Sequence, residues 1–391
     1  MKILNIIVVV LTITFLSSCA QKKQEKFLLV KNTLNMDRTF ETLELSKDFL
    51  KVTDLSIVGI LDKETNELQI TQLIDTDEDG IMDELLFQPN LGPNSEKKYQ
   101  IIEISAEERP KPEIYCYSRF VPERTDDYAW ENDRVAFRTY GPNAQYRFEN
   151  KLEEGTLSSG IDAWLKRVDY LIIDKWYKEY TEKTGTYHED TGEGLDNFHV
   201  GKSRGVGGIT YKNDTTYHVS KNFITWRTIT TGPIRTSFVL DYAEWDAGGK
   251  LIKDSKLISL DRGNNLSKFE ITLEGGVDKI SAGLTLHDKK GEVSGSNTNN
   301  WVSYWEDLDD SEIGTGIVTT SDYFDSYERY DSEVKDWSNA FLNLKVKDNK
   351  VVYYSGFGWM KSGQFNDNAQ WKTYLNHFSE RINNPLEMVL K

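Results

Sequence analysis

The sequence predicts a mainly β protein: a small N-terminal β-sandwich over residues 27–112, then a large antiparallel β domain over residues 113–391. Three observations predict it. From 27 to about 107, short apolar-alternating segments (FLLVKN, ETLELS, LSIVGILD, NELQITQLID, KKYQIIEIS) follow one another between turn residues. Beyond ERPKPE, a proline-bearing break, the alternating segments lengthen and are joined by tight turns, as in TSFVLDYAEWDAGGKLIKDSKLISLD. Helical signals are few. At 391 residues, with 10 Trp, 20 Tyr and 17 Phe against 8 Pro, the chain can bury a large ordered core.

In chain order, MKILNIIVVVLTITFLSSCAQKKQEK opens with one Lys and an apolar run too short for a comfortable membrane span. It then reaches Leu16-Ser17-Ser18-Cys19, the pattern of a bacterial lipobox. Residues 1–18 are therefore expected to be a lipoprotein signal, Cys19 the lipidated first mature residue and 19–26 a hydrophilic tether. The expected address is the cell envelope, at the outer membrane, with contact to the bilayer only through that lipid. Cys116 is then the single remaining cysteine and is read as a buried strand residue, so no intramolecular disulfide forms.

Residues 75–84, DTDEDGIMDE, set Asp75, Asp77, Asp79 and Asp83 around a glycine turn. Such carboxylates can converge on a structural Ca²⁺, although the Glu that completes an EF-hand loop is replaced by Leu86. An acidic hairpin turn without an ion competes with that reading. In YAWENDRVAFRTYGP, read as one strand, Arg134, Ala136 and Arg138 share a face. With Trp130 and Glu131 they suit a sugar, carboxylates taking hydroxyls and indole the ring face; a solvated strand with internal salt bridges is the alternative. The segment IDAWLKRVDYLIIDKWYKEYTEK fits strand or helix, whereas NDNAQWKTYLNHFSERI reads as one amphipathic helix.

The richest stretch is TYHEDTGEGLDNFHVGKSRGVGG, residues 186–208. Tyr187, His188, Asp190, Glu193, Asp196, His199, Lys202 and Arg204 lie among six glycines, a density that disfavours regular structure. Histidine supplies a near-neutral acid or base, a carboxylate tunes it and Arg clamps a carboxylate. Metal-ligand spacings such as HxxxH and CxxC are absent. His218 is left open; His287 and His377 are expected to be structural.

A charge of −16, from 47 basic and 63 acidic residues, disfavours nucleic acid and anionic membrane surfaces as partners. An anionic small substrate stays open, since fields are screened within about 10 Å.

YAWENDRVAFRTYGP, GIDAWLKRVDYLIIDKWY and YHEDTGEGLDNFHVGKSRGVGG together resemble the successive motifs of a bacterial domain-of-unknown-function family. Its members are exported proteins or lipoproteins found among polysaccharide-degrading enzymes and related to galactose-mutarotase-like β-sandwiches. The resemblance spans roughly residues 30–390 and implies a supersandwich for the large domain. One branch that the chain resembles, the ulvan oligosaccharide dehydratases, implies loss of water from a non-reducing-end glucuronic or iduronic acid linked to sulfated rhamnose, giving a 4,5-unsaturated uronic acid. On those motif positions, Arg204 or Arg134 is expected to neutralise the uronate carboxylate. His188 is expected to be one proton-transfer group and Tyr187 or His199 the other. Glu193, Asp190 and Asp196 would orient the histidines or bind hydroxyls, and Lys202 would approach sulfate or carboxylate. The chemistry asks for no cofactor. A mutarotase-like or hydrolytic sugar enzyme and a non-catalytic glycan-binding lipoprotein are the competing expectations.

Overall fold

The computed structural model describes residues 25–391. The expected signal peptide, Cys19 and most of the expected tether lie outside the described residues. Among those described, no helix is long and apolar enough to cross a membrane.

Alternation governs the first third of the chain. In strand Lys26–Lys31, Leu28 and Val30 are fully buried while their neighbours are not, since successive side chains leave a strand on opposite faces. This strand lies between Glu96–Glu103 and the last strand of the chain, Glu387–Leu390; Val58–Asp62 completes that antiparallel sheet. A three-stranded sheet of Leu43–Ser46, Glu84–Phe87 and Thr71–Ile74 supplies the other layer. Leu28, Leu45, Ile60, Phe87 and Tyr99 share the core between them, and Leu386 reaches it from the far end of the sequence. Apart from that C-terminal return, every strand of this sandwich comes from residues before 112.

After ERPKPE the chain builds the large sandwich. One layer is a broad antiparallel sheet running from Phe223–Thr230 at one edge to Glu292–Ser296 at the other. The facing layer holds two five-stranded sheets. The first is built from residues 117–195, the second from Val206–Asn213, Thr216–His218, Lys279–Thr285, Phe324–Tyr330 and Asn339–Lys345. Phe137, Ile209 and Leu342 of this layer and Phe238, Ile258 and Phe357 of the broad sheet meet in one continuous core. Each such side chain stabilises the fold by about 1.5–3 kcal/mol when fully buried.

The amphipathic helix forms where expected, over Asn368–Asn383, with Asp367 accepting the Gln370 N–H at its N-terminus. Its Trp371, Leu375 and Phe378 pack on Trp301, Trp305 and Val318 of the broad sheet, so these tryptophans are core. The ambiguous segment resolves into strand Asp162–Lys166 followed by helix Ile173–Thr181. All five strand residues are buried. One face meets the sandwich core and the other lies under Trp176 and Tyr177 of the helix, so no alternation shows in the sequence.

YAWENDRVAFRTYGP departs from the single strand expected of it. It is a hairpin of Asp127–Glu131 and Ala136–Thr139. The Asn132 side chain accepts the N–H groups of Arg134 (2.8 Å) and Val135 (3.0 Å), closing the turn. Arg134 is therefore at the hairpin tip, separated from Arg138. Cys116 is fully buried, and burial pushes its thiol well above the ordinary range, in keeping with an inert core residue.

Candidate active site

The glycine-rich loop is hung on strand Asp162–Lys166 at two points. Gly194, at φ +117°, packs so closely that a Cβ there would sit 1.9 Å from the Leu165 carbonyl oxygen; at Gly205, φ +60°, it would sit 1.8 Å from that of Ile161. Only glycine fits either place. Between these points, residues 196–204 wall a cavity of about 920 Å³. Arg138, Tyr140 and Asp162 contribute from the sheet, and the loops around 155–158, 219–221 and 334–337 close the sides.

Arg138 organises one wall. It pairs in register with Asp162 on the neighbouring strand, which brings the two side chains together. Its guanidinium donates to Asp162 Oδ2 (Nε, 2.7 Å) and to Asp196 Oδ2 (Nη2, 2.8 Å), with Asp127 Oδ2 at 3.6 Å. The Tyr140 hydroxyl donates to the same Asp162 oxygen at 3.2 Å, and the Tyr177 hydroxyl to Asp127 Oδ2 at 3.1 Å. Tyr187 is buried behind this wall and does not line the cavity; its oxygen accepts from Arg124 and Arg138, each at 3.3 Å. Three carboxylates thus face two guanidinium groups in a buried place. Burial lifts Asp127 to about 6 against the pull of Arg138 and Arg124. Burial likewise raises Asp196, and burial together with the Asp196 charge holds Asp162 well above the carboxylate range.

His188 stands at the cavity mouth, about half exposed. Its Nδ1 lies 2.8 Å from the Asp196 carbonyl oxygen, which can only accept, so Nδ1 carries a hydrogen and the neutral ring has its lone pair on Nε2. His199 also lines the cavity, with Nε2 2.9 Å from Asp336 Oδ2. Beneath it, His287 joins the loop to the sheet: Nε2 is 3.0 Å from the His199 carbonyl oxygen and Nδ1 is bonded to Glu306. His287 is structural, as expected.

Arg204 also lines the cavity and is 2% exposed. Its guanidinium donates to Ser159 Oγ and the Lys202 carbonyl, both at 3.0 Å, and among the described residues it has no carboxylate partner. Desolvation pushes it down to about 10. A buried cation facing only neutral acceptors disfavours its own charged form, and an anion in the cavity would supply the missing counter-charge. Lys202 and Lys335 stand exposed at the rim.

Besides Tyr187, five residues expected at the site are placed away from this cavity, each engaged by protein groups. Trp130 is fully buried and donates to Ser267 Oγ at 3.0 Å. Glu131 accepts from Lys166 Nζ (2.7 Å) and from the N–H groups of Ile172 and Ile173 (2.9 Å each), anchoring the start of the helix. Arg134 reaches Asn265 Oδ1 at 3.2 Å. Asp190 holds Arg167 at 3.0 Å and caps the turn at Gly192 and Gly194. Glu193 collects Tyr170, Lys175 and Trp176 at 2.5, 2.8 and 3.2 Å. His188, His199, Asp196, Lys202, Arg204 and Arg138 are brought together. Tyr140, Asp162, Arg124 and Asp336, which the sequence reading missed, join them. One signal for Asp162 was present: a lone acid opening a buried run, GIDAWL, able to pair with the lone Arg of VAFRTY.

In the acidic hairpin, carboxylate oxygens of Asp75, Asp77 and Asp83 lie within 4.8 Å of one another, and Asp79 falls outside this group. Asp75 accepts the Glu78 and Gly80 N–H groups at 2.7 and 2.8 Å, and Asp83 accepts the Thr76 N–H at 2.8 Å. These bonds hold the turn by themselves. Three carboxylates supply only part of the six to eight oxygens Ca²⁺ takes.

Residues 30–388 match the family described as domain of unknown function DUF4861. A Formosa agariphila protein described as uncharacterized protein P7 is 51% identical over 383 residues, 97% of each chain. Two solved structures from Enterococcus faecalis share the fold. A protein in glycosyl hydrolase family 38 has a TM-score of 0.51 at 10% identity, and an alpha-mannosidase has 0.52 at 9%. Each match covers 94% of this chain but only 48% and 46% of the other, so the chain spans about half the length of these structures. At such identities the likeness is one of fold alone.

Proposed function

The chain belongs to the DUF4861 family, and we propose that it is a carbon–oxygen lyase acting on carbohydrate: a dehydratase of uronate-ended oligosaccharides such as those from ulvan. The observation that carries this reading is the buried Arg204, without a carboxylate partner among the described residues, in the lining of a cavity that also presents His188 with its Nδ1 bonded and its Nε2 unengaged. A uronate carboxylate seated on Arg204 gains the counter-charge that position lacks. Charge drawn onto that carboxylate acidifies the C5 proton and stabilises the enolate-like transition state. His188 Nε2 takes the proton. The C5–H electrons then form the C4=C5 bond as the 4-hydroxyl leaves with a proton. No cofactor enters these steps. Arg124, Arg138, Lys202, Arg204, Lys221 and Lys335 line the cavity against Asp162, Asp196 and Asp336, a local basic excess that suits a polyanionic substrate in an otherwise acidic chain. Lys202 and Lys335 at the rim suit a sulfate ester on the adjoining sugar. Lipidation at Cys19 would hold the enzyme in the cell envelope; Cys19→Ala should then abolish fatty-acid labelling and release the protein from membranes.

The test is ultraviolet absorbance of the conjugated enoate. A panel of saturated uronate-ended oligosaccharides should give a rising signal with at least one member. His188→Ala should lower turnover by about 10²–10⁴ while binding persists. Flat absorbance across the panel sinks the reading. Altered chain length or anomeric ratio without absorbance would reassign the protein as a hydrolase or mutarotase, and binding without any turnover as a glycan-binding lipoprotein.

A further inference from the structure

We infer that Asp162 is the general acid of this elimination, its Oδ1 delivering the proton that leaves with the 4-hydroxyl. The inference rests on the dehydratase reading and adds to it the acid that complements the base His188.

Of the three carboxylates around Arg138, only Asp162 and Asp196 line the cavity; Asp127 lies behind it. Asp196 spends its Oδ2 on Arg138 and keeps its carbonyl under His188 Nδ1, so it belongs to the base. Asp162 differs in how its two oxygens are used. Oδ2 takes both protein donors, Arg138 Nε at 2.7 Å and the Tyr140 hydroxyl at 3.2 Å. Oδ1 is buried and has no partner among the described residues, so a substrate hydroxyl reaches it by displacing the groups that cover it. A buried carboxyl with one saturated and one bare oxygen favours a proton on the bare one, where it is free to be donated. The direction of its acidity agrees, since burial and the Asp196 charge both favour the protonated form. Tyr140 is the weaker alternative because burial drives its hydroxyl far up, so it acts through Asp162 as a donor to Oδ2.

The proton count closes. The C5–H bond breaks toward His188 Nε2, its electron pair becomes the C4=C5 bond, and the C4–O bond breaks toward oxygen. Asp162 Oδ1–H passes to that oxygen, giving water. The Asp162 carboxylate then faces Arg138 and Tyr140, which stabilise it. His188 returns its proton to solvent and Asp162 regains one, with no change of oxidation state overall. Such an elimination requires one group to take a proton and another to give one.

The experiment compares a glucuronate-ended disaccharide with its 4-deoxy-4-fluoro analogue, because fluoride departs without being protonated. Asp162→Asn should lower dehydration of the hydroxyl substrate at least about 100-fold and lower fluoride elimination less than about 10-fold, whereas His188→Ala should abolish both. Equal losses on the two substrates would assign Asp162 a structural role and overturn the inference. Should Asp162→Asn not fold, the wild-type enzyme decides. Rising pH should depress the hydroxyl reaction selectively as Asp162 loses its proton among Arg138, Arg124, Tyr140, Asp196 and Asp127, and parallel profiles would overturn the inference. A wild type inert toward both substrates removes the dehydratase reading itself.

Discussion

A guanidinium surrounded by a serine hydroxyl and backbone carbonyls gains little from the fold that holds it. Arg204 is in that position. Replacing it with methionine should leave the melting temperature unchanged or raise it, because an uncompensated buried charge is removed while the stem's volume is kept. The same variant should lose about 10²-fold or more in kcat/KM on a uronate-ended substrate. Thermal unfolding and steady-state kinetics on one preparation check both halves. Residue chemistry made Arg204, His188 and His199 legible in the sequence because they crowd into one glycine-rich loop. It left Asp162 hidden, since a single acid in an apolar run looks the same whether it caps, pairs or donates. Trp130 and Glu131 misled for the converse reason: their types suit sugars, but their positions on a buried strand commit them to Ser267 and to the helix start.

At the scale of elements, the strand pair Ala136–Thr139 and Asp162–Lys166 holds Arg138 and Asp162 together on the cavity wall, and pH should register in its stability. The folded-state acidity of Asp127 is near 6 against an ordinary 3.8, and Asp162 and Asp196 move in the same direction. Between those values the folded state binds more protons than the unfolded one, so the Asp127 contribution falls as pH rises through about 4 to 6. Asp127→Asn should flatten that part of the melting-temperature profile relative to wild type, which cancels the surface carboxylates common to both. Where the loop is tied down, Gly205→Ala should cut activity more than stability. Its new Cβ would displace residues 203–205 from Ile161, and a shift of about 1 Å is enough to lose about 10²-fold in rate. Alternation made the sandwich strands legible. It failed at Asp162–Lys166 because both faces are covered, and at YAWENDRVAFRTYGP because Asn132 turns the chain in mid-segment.

For the whole molecule, the return of Glu387–Leu390 to the first sheet is the feature no local pattern announced, because four residues beside a helix end do not reveal a partner some 360 positions away. Ending the chain after Pro385 removes Leu386 from the N-terminal core along with the strand. That truncation should lower the melting temperature by about 5 °C or more. Activity at low temperature should persist, since the cavity is built from residues 124–337. The pairing also sets a timetable. Strand Lys26–Lys31 emerges some 360 residues before its partner Glu387–Leu390, so its sheet stays one strand short until that partner is made. The small sandwich therefore closes only after the strands of the large one have been translated, and until then the Lys26–Lys31 edge is open to pairing with a neighbouring chain.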